Sequence, residues 1–168
     1  MTISLSGLFV EQAYFVQATT LGSDWTGATW VSMKNYNRLV IIADALSTGS
    51  VSGGVVTLNQ ASDVAATGAK ALAFTRMKRS LDLTTAQTEV AQVLTETAVT
   101  SSTWTVLATT SKRTRYVMEI DASTLDVANG FDCVRFVSTA LVNATGVVNY
   151  ILYGSRFSTA ALITPMLD

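Results

Sequence analysis

From residue 28 onward the chain falls into short apolar runs rich in Val, Ile, Thr and aromatic residues, separated by Gly, Asn, Asp and Ser. Runs of this length bounded by turn residues predict strands, and their regular recurrence predicts a sandwich or barrel. They lie at about 28–33 (ATWVSM), 38–46 (RLVIIADAL), 55–61 (VVTLNQA), 70–77 (KALAFTRM), 103–108 (TWTVLA), 115–121 (RYVMEID), 132–138 (DCVRFVS) and 147–153 (VVNYILY). In one of them Tyr116, Met118 and Ile120 alternate with Val117, Glu119 and Asp121. Successive side chains of a strand point to opposite faces, so this segment has one apolar and one wet face. RLVIIADAL and NYILYG are apolar on both faces and read as middle strands, covered by a second sheet or by a neighbouring subunit. Pro165 falls outside every run, so no predicted strand lacks a backbone donor.

One stretch departs from the strand rhythm, LTTAQTEVAQVLTETAV at 83–99. Thr84 and Gln87 have the spacing of a capping box, and Val90, Val93, Leu94 and Thr97 fall near one helical face, which predicts a short helix over roughly 85–93. The density of Thr and Val near 93–100 favours extended chain instead. Residues 1–27 carry little alternation and read as an extended N-terminal arm or edge segment, ahead of a single sandwich domain over 28–168. The predicted class is all-β and mainly antiparallel, a β-sandwich or jelly-roll-like fold with at most one short helix near 85–93.

The loop STGSVSGG at 47–54 raises the question of a phosphate cradle. That motif needs a lysine and a hydroxyl after its last glycine and a helix beyond them. Here Gly53 is followed by Gly54 and Val55, and the next segment reads as a strand. A flexible hairpin loop with an exposed tip is the reading that fits.

The length of 168 residues suits one domain with a real core. The composition is 49% hydrophobic and 14% charged, well below the usual quarter for soluble domains. Few charges remain to block association, so part of the surface is expected to be covered by copies of the chain or by a partner. The net charge of −1 supplies no field for steering onto nucleic acid or an anionic membrane. Two local basic clusters, Arg76, Lys78 and Arg79, and Lys112, Arg113 and Arg115, could hold phosphates if they met in space. No run of about 18 uninterrupted apolar residues occurs, so no membrane span is expected. The N-terminal sequence has no positive region ahead of its apolar run, which predicts a chain made and kept in the cytoplasm. Asn143 of the NAT sequon then carries no meaning for glycosylation.

The chain contains no histidine, which removes Ser-His-Asp and Cys-His catalysis and His-ligated zinc. Cys133 is a lone cysteine in FDCVRFV and reads as a small buried hydrophobe, without a disulfide or CxxC site. The densest acidic region holds Glu119, Asp121, Asp126, Asn129 and Asp132, but it does not match a calcium-loop pattern. It reads as a polar connection in which Asp and Asn accept backbone hydrogen bonds and Gly130 takes a positive φ. Trp25, Trp30 and Trp104 pose a choice between sugar stacking and packing in a core or subunit interface, of which packing is the commoner use.

In chain order, VSMKNYNRLVIIADAL, a Gly/Ser loop, VVTLNQASDVAATGAKAL, KRTRYVMEIDASTLDVANGFDCVRFV and NYILYGSRF resemble the small β-rich head proteins of tailed bacteriophages encoded near the capsid genes. The likeness covers roughly residues 28–157, and its most specific pieces, EIDASTLDVANGFDCVRFV and YILYGSRF, carry no catalytic signature. The resemblance implies a non-enzymatic decoration, or cement, protein that binds the outside of a phage capsid and bridges neighbouring capsomers. Its partners would be the major capsid protein and copies of itself, a trimer ahead of a dimer, because a capsid offers local threefold positions. Its place would be the virion surface after synthesis in the host cytoplasm, with no cofactor and no metal. Within such a protein the N-terminal aromatics Tyr14, Phe15, Trp25 and Trp30 are the expected capsid or subunit contacts, as an arm suited to ordering on a neighbour. The competing readings are a tail- or fibre-associated module that binds host glycan through its tryptophans, a head-tail connector component, and an enzyme using the acidic 119–132 region.

Overall fold

Among the described residues ten strands follow one another in the computed structural model: β1 (Val31–Ser32), β2 (Tyr36–Ser47), β3 (Val55–Ala61), β4 (Lys70–Ala71), β5 (Arg76–Thr84), β6 (Thr95–Ala98), β7 (Thr103–Thr105), β8 (Lys112–Asp121), β9 (Cys133–Ser138) and β10 (Ala144–Ser155). The structure describes residues 29–47, 55–74, 76–84, 95–99, 101–105, 112–138 and 144–156. The N-terminal segment 1–27, the helix expected over 85–93 and the tip of the 47–54 loop lie outside them. Two short 3-10 turns, Ala122–Thr124 and Val127–Asn129, link β8 to β9.

The strands form two antiparallel sheets. Sheet A runs β1-β9-β3, with β4 and β7 sharing the far edge of β3, and sheet B runs β10-β2-β8-β5-β6. Four pairings give the topology: β1 with β9, β2 with β8, β3 with β7 and β5 with β6. These are the rungs of one long hairpin folded back on itself. The ribbon then wraps so that β9 bonds to β3 and β8 bonds to β5, which closes two Greek keys. That is the strand order of a jelly roll, extended by β10 beside β2 and by the two-residue β4.

Alternation builds the core. Leu39, Ile41 and Ala43 of β2 face inward, as do Tyr116, Met118 and Ile120 of β8 and Val148, Tyr150 and Leu152 of β10. Register sets Tyr150, Ile41, Met118 and Met77 side by side across sheet B. Val56 and Leu58 of β3 and Val134 and Phe136 of β9 close the layer from sheet A. Each such side chain contributes about 1.5–3 kcal/mol by leaving water. Tyr150 also crosses between the sheets, where its hydroxyl accepts the backbone N–H of Phe136 at 2.9 Å.

Three expectations are corrected. The run KALAFTRM is two strands: β4 belongs to sheet A and β5 to sheet B. Leu72, Phe74 and Met77 are all buried, so the inward parity changes between Phe74 and Met77 as the chain turns the corner between sheets. The loop after β2 is no hairpin, because β2 and β3 lie in different sheets. Finally, NYILYG, expected as a middle strand, lies in β10, which stands at the edge of sheet B among the described strands.

Candidate functional site

The end of β8 and its connection to β9 hold Asp121, Asp126 and Asp132 of the acidic region singled out in the sequence. The Asp121 carboxylate accepts the N–H of Ser123 at 2.9 Å and its hydroxyl at 2.7 Å, which caps the first 3-10 turn. The Asp126 carboxylate pairs with the Lys70 ammonium and accepts both contacts of the Asn129 amide, at 2.9 and 2.8 Å. Its backbone N–H donates to the buried Gln60 side chain at 2.9 Å. Lys70 also sits over the Phe131 ring, 4.2 Å from the centroid. Gly130 adopts φ +79° at the end of the second turn, a left-handed conformation that favours glycine.

These donors set the acidity of the site. Ser123 holds Asp121 below the usual carboxylate range, and Lys70 and Asn129 do the same for Asp126. Asp132 accepts the Cys133 thiol at 3.1 Å, and burial first and Asp132 second push that thiol from 9.0 up to about 12. Carboxylates so fixed by local donors serve as hydrogen-bond anchors for a turn. Among the described residues no cluster of His, Cys, Asp and Glu has metal-ligand geometry.

The outer face of sheet B carries a different arrangement. Register stacks Tyr153, Arg38 and Asp121 in one row, then Ile151, Val40 and Glu119, then Asn149, Ile42 and Val117, then Val147, Asp44 and Arg115. Arg38 donates to Glu119 at 2.8 Å, and the Tyr153 hydroxyl donates to the same carboxylate oxygen. Tyr153 first and Arg38 second hold Glu119 below its usual range. At the other end Arg115 grips Asp44 with two contacts, 2.7 and 3.0 Å. Val40, Ile42 and Val117, half-buried, and Ile151, buried, lie between these two clusters with Asn149 among them. An apolar centre with a polar rim is the make-up of a protein contact surface.

The two basic clusters do fall on adjacent strands, β5 and β8. Arg115 is nevertheless committed to Asp44, and Lys78 stands opposite Glu96 of β6. Sequence reasoning missed the Arg38, Glu119 and Tyr153 cluster because its members come from three strands, with 81 positions between Arg38 and Glu119. A register assignment would have found it, since all three are outward positions of neighbouring strands.

Of the N-terminal aromatics expected at an interface, Tyr14, Phe15 and Trp25 lie outside the described residues. Trp30 packs with Ala61 and Cys133 on the outer side of sheet A and is 8% exposed. The Arg135 guanidinium lies 5.8 Å from its ring centroid and covers part of what remains. Trp30 is thus a packing residue of this chain, with little surface left for a partner. Compared with known proteins, the chain matches no family model, no curated protein and no solved structure.

Proposed function

We propose that this is a non-enzymatic virion structural protein that binds the outer surface of a phage capsid and stabilises it by bridging neighbouring capsomers. The reading rests on the resemblance, in chain order, of the motifs over residues 28–157 to small tailed-phage head proteins. Its most specific piece, EIDASTLDVANGFDCVRFV, is here a joint of β8, two 3-10 turns and β9, whose polar side chains serve the fold. A chain without histidine and with its acidic groups engaged in this way suits static packing. The outer face of sheet B supplies a surface of the right character for it.

The mechanism is mass action. A protein that binds the intact shell and not its separated parts stabilises the shell by RT ln(1 + [L]/Kd), about 2.7 kcal/mol at a hundredfold excess over Kd. Repeated sites around the shell add through avidity, so each contact can be modest.

Co-sedimentation with empty capsids of the virus that encodes the chain tests this. Saturable, stoichiometric pelleting is expected, together with a raised melting temperature of the shell. Deleting residues 1–27 should abolish binding and leave the sandwich folded. A folded protein that stays in the supernatant at micromolar concentration overturns the proposal. Quenching of its tryptophan fluorescence by a defined sugar would then favour a glycan-binding module.

A further inference from the structure

The strand β10 runs for 12 residues, and all but Gly154 have a register partner on β2 from Ala144 to Ser155. Its other edge has no strand partner among the described residues. Exposed edges of natural sheets are blunted by charges, proline, bulges or short length. ATGVVNYILYGS has no charged residue and no proline, and its pairing with β2 keeps one register from Ala144 to Tyr153 and again at Ser155, with Gly154 at φ +70° between them. The inward row of the segment is apolar at Val148, Tyr150 and Leu152 and the outward row carries Val147 and Ile151 on either side of Asn149, yet among the described residues the strand occupies an edge.

The strand is also close to self-complementary. Turned end for end about Tyr150, it sets Gly146 opposite Gly154, Val147 opposite Tyr153, Val148 opposite Leu152 and Asn149 opposite Ile151. Small positions meet small ones and most large ones meet large. This register pairs odd positions with odd, so the inward row of Val148, Tyr150 and Leu152 meets its own copy, as does the outward row. A slip of one residue would set inward positions against outward ones.

We propose that the free edge of β10 is a homodimer interface, where the β10 strands of two copies pair antiparallel about a two-fold axis at Tyr150. The two sheets B then form one continuous sheet, and the outer faces of both copies run on across the axis. The competing closure, a ring joining β10 of one copy to the opposite edge of sheet B in the next, has to use β6. Among the described residues that strand offers four, one of them the exposed Glu96, against twelve on β10. The geometry therefore favours an isologous pair over the threefold ring that the phage resemblance implies. This inference stands independently of the capsid reading.

Light scattering on the full chain after size-exclusion chromatography tests it, with a mass of twice 17.9 kDa expected. Asn149→Lys places a cation on each side of the axis at diagonal positions and should raise the dimer dissociation constant on the order of tenfold or more. Its circular dichroism and melting temperature as a monomer report whether the sandwich is intact. The double variant N149C/I151C should give a disulfide-linked dimer on a non-reducing gel, while N149C alone should not. A monomer, a trimer, an N149K protein that dimerises as before, or equal cross-linking by N149C alone overturns the proposal. So does a full chain that dimerises only after residues 1–28 are removed, since that segment would then cover the edge.

Discussion

Asp44 on β2 and Arg115 on β8 face each other directly across sheet B and close a two-point ion pair, Nε to Oδ1 at 2.7 Å and Nη2 to Oδ2 at 3.0 Å. The Asp44 side chain is 10% exposed and that of Arg115 is 35% exposed, so the anion is the buried partner.

Removing the cation takes the two-point partner away from that anion. Arg115→Ala is expected to cost about 2 kcal/mol, below the usual penalty for breaking a buried pair because the arginine side is partly screened by water. Arg115→Lys should recover less than half of it, since an ammonium cannot reproduce the two-point grip. Urea unfolding of the two variants measures this, and equal stability of Ala and Lys variants would refute the two-point account.

Stability should be bell-shaped in pH. Glu119, Asp63, Asp121 and Asp126 are all held below their ordinary values of 4.5 for Glu and 3.8 for Asp. The unfolded chain therefore takes up protons first as pH falls, and this contribution is complete above about pH 5 and lost progressively below it. On the alkaline side Cys133, Tyr150 and Tyr153 are pushed up, chiefly by burial, from ordinary values of 9.0 and 10.0. Their contribution is complete below about pH 8 and is lost as pH rises through the unfolded values. With no histidine to titrate between, the melting temperature should hold nearly level from about pH 5 to 7. A melting temperature that rises on acidification to about pH 3 would contradict the carboxylate assignments.

Cys133 should resist modification. A thiol raised from 9.0 to about 12 has about a thousandfold less thiolate at pH 8, and the side chain is buried between Trp30 and Ala61. Labelling with a thiol reagent is expected to be slow in buffer and fast in denaturant. Rapid stoichiometric labelling of the folded protein would place Cys133 outside this cluster.

Tyr150→Phe deletes the hydroxyl that meets the N–H of Phe136 across the two sheets. The expected loss is about 1 kcal/mol, with no change in secondary structure. Thermal unfolding followed by circular dichroism reads it, and an unchanged melting temperature would mean that the contact contributes nothing net.

The alternation of apolar and polar positions was enough to place 55–61 at its observed bounds and to find β2, β8, β9 and β10 within three residues at either end. It also marked Gly130 as a positive-φ position and Cys133 as buried. Where the pattern misled, tertiary geometry decided. KALAFTRM has no turn residue at the point where it leaves sheet A, so nothing local announces the corner between Ala71 and Arg76. NYILYG has the composition of a central strand, and no local rule distinguishes a strand paired on both sides from one at the edge of a sheet. The ion-paired clusters on sheet B depend on register between strands far apart in the sequence, which composition does not encode.

The jelly-roll pairing also governs how the chain reaches this state. Its innermost rung, Arg76 to Ala98, closes early, whereas its outermost, Val31 to Val134, joins residues on either side of nearly everything else. Folding by such distant contacts is slow, on the order of milliseconds to seconds. On the ribosome, β1 and β2 must wait until β9 and β10 have emerged, with their edges open to other chains in the meantime.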